Sequence, residues 1–277
     1  MTHETDMMLS GIPGTSLWGL KARAEEHENP EGLFQDALAQ QWFRKLSPFF
    51  SPALARWYTP TLQRSIALRT DILDRAVRMH IQRHQNPVII EMGAGFSTRY
   101  HRLQAESVLW YEWDLPEMIE VRLGLQEPQH PTHHYLAYSL TDEAWCSQLN
   151  REDPERYLFI AEGLFMYFPR ETIEALIARL RLFFSGASMA FDVLGALNFK
   201  AAQAPGEEVD APVYWGVKNT EHLYAELGVT RMEPDLTLPA QIRRYGHYRG
   251  YLKPLERWVL SQRWLTRRMG GTLFAQL

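Results

Sequence analysis

The stretch Val88-Ile89-Ile90-Glu91-Met92-Gly93-Ala94-Gly95-Phe96-Ser97-Thr98-Arg99 passes from an apolar run into an acid, two closely spaced glycines and a helix start. A short β-branched run closed by glycine reads as a buried strand. Glycines placed directly after it permit a tight turn and let a ligand approach the backbone. Turns of this kind serve several nucleotides, so the glycines alone leave the ligand open. The dinucleotide pattern G-x-G-x-x-G would need glycine or alanine at position 98, where Thr98 stands. Glu91 also argues against a dinucleotide, because a carboxylate beside phosphates repels them. It would attract an ammonium or a sulfonium. S-adenosylmethionine carries both cations and no phosphate.

Outward from this stretch the rhythm differs on the two sides. Downstream, strand-like runs at 88–92, 107–113, 134–138, 157–162 and 187–193 alternate with helical runs at 97–104, 116–123, 141–150 and 169–184. That alternation predicts βαβ units and an α/β fold, a mostly parallel sheet with helices on both faces. Upstream, residues 15–85 read as helical, broken by the three prolines of 46–60 and resumed over 62–84. Residues 198–217 read as an inserted loop or lid, followed by a helix near 219–227 and strand-like pieces at 229–232 and 241–248. The tail 254–269 carries Leu255, Trp258, Val259, Leu265 and Met269 on one face and arginines elsewhere. Such a helix either packs on its own domain or lies on a membrane or partner. The division expected is a helical extension, 1–85, packed on a core, 86–277, with a cap insertion at about 194–220, in one structural domain.

Composition bounds the function. A chain of 277 residues with 45% hydrophobic and 22% charged residues is ordinary for a soluble globular protein. Its net charge of −4 gives no electrostatic case for nucleic acid. The single cysteine, Cys146, excludes an intramolecular disulfide framework and Cys-type zinc clusters, and fits a reducing compartment. Neither a signal peptide nor a run long enough to span a membrane is visible, so a cytoplasmic location is expected. His130, His133 and His134 fall at the start of the third strand, away from the ligand edge, and read as a surface loop. No metal is implied. A homo-oligomer is compatible with the sequence.

In an open parallel sheet ligands bind outside the carboxyl ends of the strands. Acids stand at four of these ends: Glu91, Asp114, Glu162 and Asp192. Asp114 lies about 20 residues past the glycines, where a ribose diol is held in such folds; its other reading is a helix cap. Glu112 is a second ligand or a strand residue facing solvent. Ser139 and Leu140 follow the third strand, where an adenine ring would be met. Arg69 sits among apolar helical neighbours and needs a carboxylate partner, either a cofactor carboxylate or an ion pair with Asp74 or another acid.

The segments "VIIEMGAGFSTRYHRL", "WYEWDLPEMIEVR", "FIAEGLFMYFPRETIEALI" and "AFDVLG", together with "TSLWGLKARAEEHENPEGLFQDALA" and "LRTDILD", resemble the leucine carboxyl methyltransferase superfamily, and within it the O-methyltransferases of bacterial polyketide biosynthesis. The resemblance covers about residues 15–195. It implies a Rossmann-like class I methyltransferase with a seven-stranded sheet and a helical cap, using S-adenosylmethionine. It also implies that Arg69 holds the cofactor carboxylate, that Gly93 and Gly95 border the methionyl part and that Asp114 binds the ribose. Ser139 and Leu140 would then flank adenine, and Glu162 would face the ammonium. Ser139 departs from the aspartate frequent there. The acceptor expected is a small aromatic or polyketide-like molecule bearing a carboxylate or phenolic or enolic oxygen, with Tyr167 lining its pocket. Tyr214, His222 and His247 fall in the region of acceptor specificity, and no residue stands out as a catalytic base. Rival readings are methylation of a protein C-terminal carboxylate, a non-catalytic adenosyl-ligand or partner-binding protein, and a nicotinamide oxidoreductase.

Overall fold

The change of rhythm at Val88 is where the fold changes from helices to an alternating sheet. The computed structural model describes residues 9–125, 130–233, 236–244 and 248–277. Among the described residues, four helices precede the first strand: α1 (Gly11–Glu28), α2 (Ala37–Leu46), α3 (Pro52–Trp57) and α4 (Pro60–Arg83). The prolines that interrupt this region start helices as much as they end them. Pro52 and Pro60 open α3 and α4, where a missing N–H costs nothing. The hydroxyls of Ser51 and Thr59 cap the same ends by accepting from the Leu54 and Leu62 N–H groups at 3.2 and 3.1 Å.

Then come β1 (Val88–Met92), the short α5 (Arg99–Arg102), β2 (Leu109–Asp114), α6 (Pro116–Gly124), β3 (His133–Ala137), β4 (Tyr157–Ala161), α7 (Arg170–Phe183) and β5 (Ser188–Leu194). The chain continues through α8 (Ala196–Glu208), α9 (Thr220–Glu226), β6 (Thr230–Arg231), α10 (Leu238–Arg244), a single helical turn at Tyr248–Tyr251, α11 (Pro254–Ser261), α12 (Arg263–Met269) and β7 (Gly270–Gln276). The seven strands lie in the order β3-β2-β1-β4-β5-β7-β6. β1 to β5 are parallel, and β7 runs antiparallel between β5 and β6. The expected α/β sheet of the class I methyltransferase type is therefore the observed one.

β1 is apolar along its length up to Glu91 because both of its faces are covered. Val88, Ile90 and Met92 join a core closed by Ile173, Leu176, Ile177 and Leu180 of α7. Ile89 faces the other layer, with Ile72, Leu73 and Val77 of α4. Each such side chain contributes about 1.5–3 kcal/mol on burial. The strand order reverses between β1 and β4, and the crevice outside their carboxyl ends is the place for a ligand.

Several expectations are corrected. Residues 141–150 form only a 3₁₀ turn, Ala144–Gln148. Much of the expected loop at 198–217 belongs to α8. The expected strand at 241–248 is helical at Leu238–Arg244, and its place in the sheet is taken by β7. Two glycines at the start of β7 obscure it as a strand, yet the pairing requires one of them. A Cβ on Gly270 would lie 2.1 Å from the Val193 carbonyl oxygen. The tail helix is broken at Gln262 into α11 and α12. His133 is in β3 rather than a surface loop, 5% exposed, with its ring stacked 4.2 Å from that of Tyr100. Among the described residues, no helix is long and apolar enough to cross a membrane.

Candidate active site

A cavity of about 1290 Å³ opens at the carboxyl ends of β1, β2, β4 and β5. Its floor is made by the turns that leave those strands. Gly93 and Gly95 have φ of +60° and +51°, a region that favours glycine. The turn is also tightly covered: a Cβ on Gly95 would lie 3.0 Å from the Ser16 Cβ of α1. After β4, Gly163 has φ of +64°, and a Cβ there would lie 3.0 Å from Arg69 Nη2. That vacant side-chain position gives the guanidinium its access to the cavity.

Glu91, Glu162 and Asp192 at the strand ends are wired to arginines that line the cavity. Arg99 meets three carboxylates, two of them at strand ends: Nε donates to Asp74 Oδ1 of α4 at 2.8 Å, Nη1 to Glu91 and Nη2 to Glu162. Arg102 bridges Asp74 and Asp36 at 2.8 and 2.7 Å. Arg69 reaches Glu162 through Nε at 3.1 Å and Asp192 through Nη1 at 3.0 Å. Arg23 of α1 donates to the Phe96 carbonyl at 2.7 Å and lies 3.9 Å from Asp36. Four guanidinium groups thus face five carboxylates (Asp36, Asp74, Glu91, Glu162 and Asp192), leaving an excess of one negative charge.

The pKa directions follow from this wiring. Burial alone would raise the Glu162 carboxyl, but Arg99, Arg69 and Arg23 outweigh it and hold the group well below the usual carboxylate range. For Asp192 burial wins: its pKa is raised despite Arg69 and despite the Gly163 N–H, which donates to Oδ1 at 2.6 Å. Burial likewise raises the Asp114 carboxyl, against the two amides that donate to it.

Arg69, Glu91, Gly93, Gly95, Asp114, Ser139, Leu140, Glu162 and Tyr167 all line the cavity. Glu91 is not bare. Its oxygens accept from Arg99 and from the Ser97 hydroxyl at 3.1 and 3.0 Å, so it acts as part of the network. Asp114 accepts from the Gly95 amide at 2.6 Å and from the Leu115 amide at 2.7 Å. It therefore fixes the glycine turn rather than serving as the side-chain cap of α6, and it stays half-buried at the cavity wall. Asp74 is not the partner of Arg69, since its oxygens are taken by Arg99 and Arg102. Glu112 faces neither cavity nor solvent. It is buried and paired with Arg122.

Two expected acceptor contacts fall outside the cavity lining. Tyr214 is 57% exposed because Trp215, next to it in an extended segment, takes the inward side. His222 is exposed because Leu223 and Tyr224 provide the inward face of α9. His247 lies outside the described residues. Sequence reasoning missed Arg23, Arg99, Arg102 and Asp36, whose roles depend on contacts between distant segments. The available signal was the arginine pair of "RYHR" directly after the glycine turn, too many charges for a segment entering the core. Among the described residues, no group of three or more His, Cys, Asp or Glu is arranged to hold a metal ion.

The donor set fits the S-adenosylmethionine expected from the sequence. Arg69 spends two of its five N–H groups on Glu162 and Asp192 and keeps Nη2 toward Gly163 for a carboxylate. The surplus negative charge suits a ligand with two cations, and Asp114 suits a diol.

Comparison with known proteins agrees. The chain is 25% identical over 255 residues to the tetracenomycin polyketide synthesis O-methyltransferase of Streptomyces glaucescens, covering 91% of this chain and 90% of that one. It is 27% identical over 270 residues to a Streptomyces coelicolor protein named for S-adenosyl-L-methionine-dependent methyltransferase activity, covering 86% and 95%. A Thermobifida fusca crystal structure described as a methyltransferase shares the fold, with a TM-score of 0.58 at 13% identity over 92% of this chain and 93% of that one. The sequence model of the leucine carboxyl methyltransferase family matches residues 16–181, more than half of the chain. With that match and the site beneath it, the chain belongs to the leucine carboxyl methyltransferase family.

Proposed function

We propose that the chain transfers a methyl group from S-adenosylmethionine to a carboxylate, phenolic or enolic oxygen of a small aromatic, polyketide-like acceptor. The observation that carries this reading is one cavity that runs from the charged strand ends to an apolar wall. Its volume of about 1290 Å³ exceeds the roughly 300–1,000 Å³ of a typical single-ligand pocket, which leaves room for donor and acceptor together. The methyl donor is S-adenosylmethionine. When bound, it supplies a methyl group on a sulfonium, an electrophile that needs no further activation.

The residues of this chain bind and orient. Arg69 holds the donor's carboxylate, Glu162 and the network behind it face its ammonium, and Asp114 takes the ribose hydroxyls. Gly93 and Gly95 allow the close backbone approach, and Ser139 and Leu140 flank the adenine. The acceptor end is walled by Leu62 and Leu68 of α4 and by Leu255, Val259 and Leu260 of α11, with Tyr167 between the two ends. Helices α1 to α4 serve as an extension on the 86–277 core, and the segment around 194–220 as its cap. Asn198, Ala201 and Pro205 of α8 already line the cavity. Alignment of nucleophile, methyl carbon and sulfur, with water kept out, supplies the rate. A carboxylate acceptor is ionised at neutral pH and needs no base, whereas a phenol of pKa near 10 would need help. The name of the Streptomyces glaucescens relative supports the polyketide class.

Isothermal titration with S-adenosylmethionine and with NADPH tests the donor. We expect the former to bind and the latter not, and the reverse would overturn the reading. With the donor present, mass spectrometry of products from aromatic acids and phenols should find a methyl ester or ether. Methylation confined to peptide C-termini would move the acceptor to protein.

A further inference from the structure

We propose that the helix pair α11–α12 is a docking surface for an anionic lipid bilayer. The sequence makes this tail amphipathic, and an amphipathic helix ordinarily hides its apolar face on its own domain. Here no residue of Pro254–Ser261 or Arg263–Met269 is buried. Leu255, Trp258 and Trp264 are 71%, 62% and 55% exposed, while four other tryptophans are almost completely covered. Surface tryptophans flanked by basic residues are the composition of helices that lie in a membrane interface.

Charge selects the occupant. Residues 253–269 carry five lysines and arginines against the single acid Glu256, in a chain whose net charge is −4. Glu256 is engaged by Arg64 at 2.9 Å, and Glu221 of α9 is shared between Arg263 and Arg267 at 3.8 and 3.5 Å. Lys253, Arg263 and Arg268 are exposed. The surface is therefore basic on a protein that is acidic elsewhere, complementary to anionic headgroups. A second copy of the chain fits poorly, because a two-fold contact would set this patch against itself and bring like charges together. The exposed aliphatic Leu255 and the indoles favour an acyl boundary over phosphates alone. Leu255 also lines the cavity, so the surface borders its mouth. On the reading of an apolar acceptor given above, such a molecule would meet the cavity at the bilayer.

The test needs neither donor nor acceptor, so its result is separate from that of the methyl-transfer reading. The full chain is sedimented with vesicles of phosphatidylcholine, with or without about 30% phosphatidylglycerol. We expect partitioning roughly tenfold higher on the anionic vesicles, falling sharply at high salt. Trp258→Ala with Trp264→Ala, and separately Lys253→Glu with Arg268→Glu, should each reduce it about tenfold. None of these four residues lines the cavity, so unchanged S-adenosylmethionine affinity and melting temperature would show that the variants are folded. Equal partitioning on neutral and anionic vesicles, or binding indifferent to both double variants, would overturn the proposal. So would binding of a single-stranded oligonucleotide, lost in the same variants, by a chain that ignores vesicles.

Discussion

Two stretches of this chain use the same residue types in opposite ways. Between 99 and 113, Arg99, Arg102, Trp110 and Trp113 lie in or beside the parallel sheet, each almost wholly buried. Between 257 and 268, arginines and tryptophans recur at higher density, and Trp258, Trp264 and Arg268 stand in solvent. What separates them is the company they keep. The first set faces Asp36, Asp74, Glu91 and Glu162, and its indoles fill the gaps between sheet and helices. The second meets few acids, and its indoles are left at the surface. A charged side chain enters the interior only with its counter-charge, so the distribution of carboxylates decides where arginine can be buried.

The largest expected effect breaks the first set. Arg99→Met would leave Asp74, Glu91 and Glu162 without their shared cation and should destabilise the fold by about 3–5 kcal/mol in urea unfolding. Trp113→Ala should cost a similar about 3–5 kcal/mol, since it empties a packed position beside Trp145. Trp258→Ala should change stability by no more than about 0.5 kcal/mol. Comparable losses at 113 and 258 would contradict the contrast.

The next effect is on binding. Asp114→Ala removes the carboxylate proposed for the ribose hydroxyls and should cost about 2 kcal/mol, roughly thirtyfold in S-adenosylmethionine Kd. Titration calorimetry reads this directly. Asp114→Asn keeps an acceptor for the Gly95 amide, so it separates loss of the turn from loss of the ligand contact. Affinity unchanged in both variants would remove Asp114 from the site.

A smaller effect concerns pH. His80 of α4 donates from Nε2 to the Arg156 carbonyl at 2.8 Å, and its ring is buried. Burial lowers its pKa from the ordinary 6.5 to about 4. Between those values the unfolded chain binds a proton that the folded chain refuses. Stability should therefore be complete above about pH 6.5 and decline as the pH falls toward 4, by the order of 2 kcal/mol from this group. Unfolding of His80→Gln measured at pH 7 and pH 5 should show a shallower decline than the parent.

These contrasts explain how much was legible beforehand. The strand-end residues could be read because position along a parallel strand already states which edge a residue occupies, and Glu91, Asp114 and Glu162 needed nothing more. The partners of those acids could not. Arg23 is 73 residues from the carbonyl it meets, and Arg99 is 63 from Glu162, distances that no local pattern encodes. The strand expected at 241–248 lies instead at Gly270–Gln276 for a related reason. Gly270 and Gly271 look like a breaker until β5 arrives beside them, and only then does the need for a missing Cβ become visible.

The smallest expected effect tests the acceptor end. By position in the chain Tyr214 and His222 fall in the region of acceptor specificity, yet alternation along 211–217 and the inward face of α9 turn both outward. Tyr214→Ala and His222→Ala should each leave kcat/KM for any acceptor within about twofold of the parent, as exposed substitutions do when nothing rests on them. Tyr167→Ala, at the cavity wall, should raise acceptor KM more than it alters S-adenosylmethionine Kd. If His222→Ala instead changed acceptor KM as strongly as Tyr167→Ala, α9 would have to turn during turnover. That helix would then be a moving part of the site rather than its fixed wall.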